Sequence, residues 1–150
     1  MLKSWMVIAG VGFAIALLAN IIRPKDVKWF RRLERPQWLT FEKLIPVIWT
    51  AVFVCGGWSA YIVWERTQSW SWMAAYIVLE LVTIAFTPVL FWSHSLTAAS
   101  IIGGTGFVIG LLLAISTLKI SVWAAALLIP YLLWSPVGTF TTWEMQKLNS

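Results

Sequence analysis

Five apolar stretches, each close to the length of a bilayer crossing, follow one another through this chain of 150 residues. A helix needs about 20 apolar residues to cross the hydrocarbon core. A backbone placed there must also satisfy its own hydrogen bonds, as a helix does. The stretches lie at roughly residues 4–22, 44–65, 70–92, 96–118 and 122–145. They predict an all-α membrane protein, a bundle of five transmembrane helices forming one domain over residues 1–150. With 60% hydrophobic and 11% charged residues, an ordinary soluble domain is excluded.

The net charge of +5 is unevenly placed. Arg23, Lys25, Lys28, Arg31, Arg32, Arg35 and Lys43 all fall in the basic loop 23–43, between the first two spans. Cytoplasmic loops collect Lys and Arg, so this loop is expected inside the cell. Lys147 then also falls inside, while Lys3, Arg66 and Lys119 fall outside, eight basic residues against three. The N-terminus is expected outside and the C-terminus in the cytoplasm. A basic loop carrying Trp29-Phe30 suits anionic lipid, and no nucleic acid is expected as partner. Within it, Pro24 to Leu33 reads as a short interfacial helix that Pro36 brings to an end.

Three of the later spans carry proline. Pro46 is tolerable in a first helical turn, and Pro88 should kink the end of span three. Pro130 and Pro136 should bend span five, freeing backbone carbonyls where only protein or a wet cavity can cover them. Span one has Lys3 and Ala14-Ile15-Ala16, as a cleavable signal peptide would, but its apolar run continues to Pro24.

The chain has twelve tryptophans. Tryptophan gathers where the apolar core meets the headgroups. Trp5, Trp64, Trp70, Trp72, Trp92, Trp123 and Trp143 lie near span ends, and Trp29 lies in the basic stretch. Trp49, Trp58 and Trp134 lie within spans and Trp38 in a connecting loop. An interfacial belt does not explain these four, and an aromatic ligand pocket would.

Polar residues within the spans are also patterned. Tyr76, Glu80, Thr83 and Thr87 share one face of span three; Tyr131, Ser135, Thr139 and Thr142 share one face of span five. Such faces point inward, either as hydrogen-bonding contacts between helices or as the wall of a cavity. Glu80 falls near mid-span with no basic residue predicted at its depth, so it is expected neutral and facing the bundle interior. In span four, Gly103, Gly106 and Gly110 form part of a small-residue strip. It offers either a packing surface within the chain or a homodimer seam.

Catalytic and metal-binding signatures are missing, so no catalytic and no metal residue is assigned. Cys55 stands alone within a span. His94 is the single histidine, close to the end of span three, and offers at most an axial haem ligand.

The tryptophan-bearing motifs support a family resemblance. Arg35-Pro36-Gln37-Trp38-Leu39-Thr40, followed by Pro46-Val47-Ile48-Trp49-Thr50, resembles the loop-to-second-helix signature of the TspO/MBR family. These are the tryptophan-rich sensory proteins related to the translocator protein. Ala85-Phe86-Thr87-Pro88 is similar to that family's Asn-x-Ala-Trp-Ser-Pro run, and Leu128-Ile129-Pro130-Tyr131-Leu132-Leu133-Trp134 to its most recognisable stretch. The resemblance implies a ligand pocket lined by Trp38, Trp49, Phe53, Thr83, Phe86, Thr87, Tyr131, Trp134, Ser135 and Gly138. It implies a tetrapyrrole or other hydrophobic small molecule as partner, beside membrane lipids. No cofactor is required, and porphyrin or haem would be a ligand.

Several positions depart from the pattern. Thr83 stands where the motif has Asn and Phe86 where it has Trp. One extra residue separates Pro46 from Trp49, and Trp143 replaces the Tyr of the C-terminal cholesterol motif. Glu80 has no counterpart. The leading expectation is binding of a flat hydrophobic ligand for sensing or regulation. A transporter of such ligands, a light-dependent porphyrin-degrading enzyme and a purely structural partner are the alternatives.

Overall fold

The computed structural model describes residues 3–17 and 24–149, which are helical with short connections and contain no strand. The helices are α1 (Ser4–Leu17), α2 (Pro24–Arg31), α3 (Ile45–Thr67), α4 (Trp70–Ser93), α5 (Leu96–Thr117), α6 (Val122–Ala126) and α7 (Ile129–Leu148). A 3-10 turn, Glu42–Leu44, leads into α3. Four segments are long and apolar enough to cross a membrane: Glu42–Thr67, Trp70–Ser93, Leu96–Thr117 and Val122–Leu148. α1 is apolar but shorter. The remainder of the expected first span, residues 18–22, and Arg23 lie outside the described residues.

The long helices carry apolar side chains all round, as helices bathed in lipid do. Val47, Ile101, Leu112 and Leu133 face outward and are exposed. Tight connections make chain neighbours antiparallel. α3 closes on Gln68 in the left-handed conformation (φ 47°), whose N–H bonds to the Trp64 carbonyl at 2.7 Å. α4 closes on His94 (φ 55°), and Ser95 then caps α5 by accepting from the Ala98 N–H at 3.0 Å.

The fifth apolar stretch, expected as one bent span, is broken. α6 ends at Ala126 and α7 begins at Ile129 with Pro130 in its first turn. In the first turn Pro130 gives up no helical N–H bond, so the helix restarts there. Pro136 and Pro88, by contrast, lie inside α7 and α4, which continue past them. At the break the Leu128 N–H turns to the Ala125 carbonyl at 3.1 Å. The Ala124 carbonyl, which an unbroken helix would pair with that N–H, instead accepts from Ser59 Oγ at 2.7 Å. Ser59 is fully buried, and the Tyr76 hydroxyl lies 2.7 Å from its oxygen. Because the one Ser59 proton is engaged, Tyr76 is the donor. Ser59→Ala is expected to strand the Ala124 carbonyl and the Tyr76 hydroxyl together, costing roughly 1–3 kcal/mol. Thermal unfolding in detergent measures this; a midpoint matching Thr105→Ala, on an exposed face, would count against it.

α5 packs on α4 and α7, while α1 lies against α3 and α4. Gly106 and Gly110 are buried where the Tyr131 ring crosses α5. A Cβ on Gly110 would lie 2.6 Å from Tyr131 Cε1, and one on Gly106 would lie 2.5 Å from its hydroxyl oxygen. Gly103 meets Thr139 in the same way. The small-residue strip is thus filled by α7 of its own chain.

The polar face of α4 divides among three neighbours. Tyr76 reaches Ser59, Thr83 and Thr87 face the cavity described below, and Glu80 lies against α1. Its carboxylate oxygens are both 3.7 Å from where a Cβ on Gly12 would stand. A rotation of 100° per residue spreads nominally aligned positions enough to meet different partners.

α2 differs from a helix lying in the lipid interface. Trp29, Phe30 and Leu33 pack with Leu90, Leu96, Ala99 and Met145 of the bundle, leaving Lys25, Lys28, Arg31 and Arg32 exposed. It is pinned to the end of α4. Fully buried Asp26 meets His94 Nε2 at 2.7 Å, and the Trp29 indole stacks on the imidazole at 4.2 Å between centroids, 5° from parallel. The chain after α2 is tied to the end of α7 by Asn149. It accepts from the Glu34 N–H at 2.9 Å and donates to the Glu34 carbonyl at 3.1 Å.

Candidate functional site

Breaking and restarting the fifth stretch sets α7 so that Tyr131, Trp134, Ser135 and Gly138 face α3 and α4 across a gap. The gap is a cavity of about 620 Å³. That size falls within the usual range for small-molecule sites. Trp49, Thr50 and Phe53 come from α3; Val82, Thr83, Phe86 and Thr87 from α4; Ile102 and Gly103 from α5. Phe30 of α2, with Leu39 and Glu42, forms the end nearest the basic segment.

The walls are aromatic. Trp49 meets Trp134 edge to face at 6.4 Å and 88°, and Phe53 lies 5.8 Å from Trp49. Phe41 backs Trp134 at 6.2 Å and 73°. Edge-to-face packing presents the negative face of one ring to the positive edge of the other, which holds both indoles in place. A flat apolar molecule has ring faces to lie against here.

The polar groups of the wall have an uneven supply of protons. Thr50, Thr83, Thr141 and Thr142 donate at 2.7–2.9 Å to the carbonyls of Pro46, Leu79, Val137 and Gly138 in their own helices. A hydroxyl has one proton, so these four turn lone pairs to the cavity. Ser135 Oγ donates to the Gly103 carbonyl at 3.4 Å, and the Tyr131 hydroxyl lies 3.4 Å from Thr83 Oγ1. Trp134 Nε1 is the exception. It is buried, and it alone among the described buried side-chain nitrogens and oxygens has no hydrogen-bond partner. A buried N–H left unpaired costs free energy, and this one lies against Gly138 of its own helix, 3.6 Å from where a Cβ would stand.

Nine of the ten residues expected at the site line this cavity: Trp49, Phe53, Thr83, Phe86, Thr87, Tyr131, Trp134, Ser135 and Gly138. Trp38 does not. It lies over the outer surface of α7, in a shallow groove with Pro136, Val137 and Phe140, its ring 5.8 Å from that of Phe140. Trp58, also unexplained by an interfacial belt, is exposed on α3. His94 is engaged by Asp26 and Trp29 and takes no part in the cavity wall, so an axial haem ligand is not supplied from there.

Residues missed by sequence reasoning include Phe30 and Glu42. Phe30 stands in a basic stretch that reads as interfacial, and only tertiary packing turns its ring to the cavity. Thr139 and Thr142 are legible as members of the polar face on span five, and both line the wall.

Comparison with known proteins comes to the same place. A model of the TspO/MBR family matches residues 5–148. The uncharacterized membrane protein YtaB of Bacillus subtilis is 28% identical over 142 residues, covering 93% of this chain and 92% of that protein. The tryptophan-rich protein TspO of Bacillus cereus is 24% identical over 151 residues, covering 99% of each. The tryptophan-rich protein TspO of Chlorobaculum tepidum is 21% identical over 145 residues, covering 93% of this chain and 92% of its own.

Proposed function

The chain belongs to the TspO/MBR family, and from that premise we propose that it is a membrane receptor for a flat apolar ligand of the tetrapyrrole kind, serving sensing or regulation. The ligand lies between α3, α4 and α7, its faces against Trp49, Phe86 and Trp134. The observation that carries this reading is the edge-to-face pair of Trp49 and Trp134, set within the spans and lining a cavity of about 620 Å³. Protoporphyrin IX titrated into the purified protein should quench tryptophan fluorescence to saturation at one ligand per chain. Quenching that rises without saturating would report partition into detergent and overturn the reading.

Binding is favoured over transport by the position of Glu80. The carboxylate that a proton-coupled carrier would use faces Gly12 of α1, outside the cavity wall. Among the described residues the acid in the wall is Glu42, at the end near the basic segment.

In the proposed membrane arrangement α1 belongs to a fifth span. The segment bearing α2 is cytoplasmic, the N-terminus outside and the C-terminus inside, following the asymmetry of basic residues. Cysteines introduced at Lys28 and Ser69 are expected to react with an impermeant maleimide from opposite sides of sealed vesicles. Labelling of both from one side would refute this topology.

A further inference from the structure

At the cavity end formed by Phe30 and Glu42, a guanidinium is held in a way that does not depend on its acidic partner. Arg35 Nη1 donates to the carbonyls of Phe30 at 2.7 Å and Leu33 at 2.5 Å. Its Cζ lies 4.5 Å above the Phe30 ring, and Phe30 is itself part of the cavity wall. These contacts orient the fork and leave Nη2 directed at Glu42 Oε1, 3.3 Å away.

The Glu42 end of that pair is the weaker one. The distance is long for a charge-assisted bond, and the Glu42 side chain is 45% exposed against 19% for Arg35. An ion pair open to water holds its partners loosely. Glu42 also stands on the single turn that precedes α3, so it can swing to solvent without disturbing a long helix. When it does, Arg35 remains in place just behind Phe30 and Glu42, which line the cavity end, and its Nη2 loses that partner.

We propose that Arg35 is the specificity-determining residue of the cavity: it selects amphiphiles whose apolar body fills the aromatic space and whose carboxylate displaces Glu42. The proposal rests on the cavity being a ligand site, as argued above. Arginine suits the role because its planar fork matches a carboxylate in two-point contact, whereas an ammonium offers a point charge. Exposed Lys25, Lys28, Arg31, Arg32 and Lys43 belong to the same segment and add to the attraction for an anionic ligand. The neutral surroundings of the rest of the wall supply no competing charge among the described residues.

The test compares protoporphyrin IX with its dimethyl ester, which has the same ring and no carboxylate. Measurement in neutral detergent removes anionic lipid headgroups as a source of the same chemistry. In the parent protein the acid is expected to bind about tenfold tighter than the ester, the equivalent of one half-buried charge-assisted contact. That ratio should fall toward one in Arg35→Gln, fall only part of the way in Arg35→Lys, which keeps the charge without the fork, and rise in Glu42→Gln, where no displacement is needed. Using a ratio within each variant cancels any general loss of folded protein, and the lysine variant separates loss of charge from loss of the carbonyl contacts. Equal binding of acid and ester by the parent, or an unchanged ratio in Arg35→Gln, overturns the proposal and leaves the cavity reading standing. Failure of the folded parent to bind either compound overturns the cavity reading, and this proposal with it.

Discussion

Trp134→Ala is expected to weaken protoporphyrin binding by tenfold or more, the largest loss from any single substitution in the cavity. Two losses combine. Stacking of a flat base on an aromatic ring is worth about 1–3 kcal/mol by alanine substitution, and a porphyrin offers a wider face. The indole also supports Trp49 edge to face at 6.4 Å, so its removal leaves the second wall unbacked. Trp134→Phe separates ring from donor. It keeps an aromatic face and removes only the occluded, unpartnered N–H, so most of the binding is expected to remain. Trp70, 76% exposed at the start of α4, is the control. Equal losses from Trp134→Ala and Trp70→Ala would show that the measurement follows insertion of the dye into the micelle.

Gly110→Leu is expected to prevent accumulation of folded protein. Its Cβ alone would lie 2.6 and 2.9 Å from Tyr131 Cε1 and Cδ1, and the remaining leucine atoms have nowhere to go. Tyr131 cannot yield, since it is only 6% exposed and packed in the central core with Leu79, Leu113 and Leu128. Overpacking a dense interior typically costs about 1–3 kcal/mol and more where backbones must separate. Here α5 and α7 would be forced apart along the contact that shapes the cavity. Gly104→Leu, where no atom lies within 4 Å of an added Cβ, should accumulate as the parent does. Tyr131→Ala should partly restore Gly110→Leu by clearing the clash. Normal accumulation of Gly110→Leu alone, read by size-exclusion in detergent, would show that these helices do not pack as described.

Much of the candidate site is legible in the order of residues alone, for a physical reason. Indoles belong at the edges of a bilayer, so Trp49 and Trp134, placed within spans, signal another environment, and both line the cavity. The spacing of Tyr131, Ser135, Thr139 and Thr142 likewise marks one inward face. The same reasoning does not extend to Trp38 and Trp58. An indole on an outer groove or a lipid-facing helix has the same spacing in the chain as one in a pocket. Which it becomes depends on where neighbouring helices stand. Glu80 shows the limit most directly: a shared face with Thr83 and Thr87 places it inward, and the presence of α1 beside that face takes it away from the cavity.

What the chain determines by itself is therefore local and solvent-driven. Runs of apolar residues long enough to cross hydrocarbon must be helices there, because no other partner exists for their peptide groups. Proline sets where the fifth stretch breaks, and the clustering of lysine and arginine sets which segment is basic. Tertiary structure decided the rest: that α2 lays its aromatic side on the bundle, that Ser59 covers the carbonyl released at the break, that glycines of α5 receive Tyr131, and that Arg35 stands behind Glu42. Each depends on contacts between residues far apart in the chain. In lipid, where apolar surface alone does not choose its neighbour, close packing and hydrogen bonds between helices make that choice.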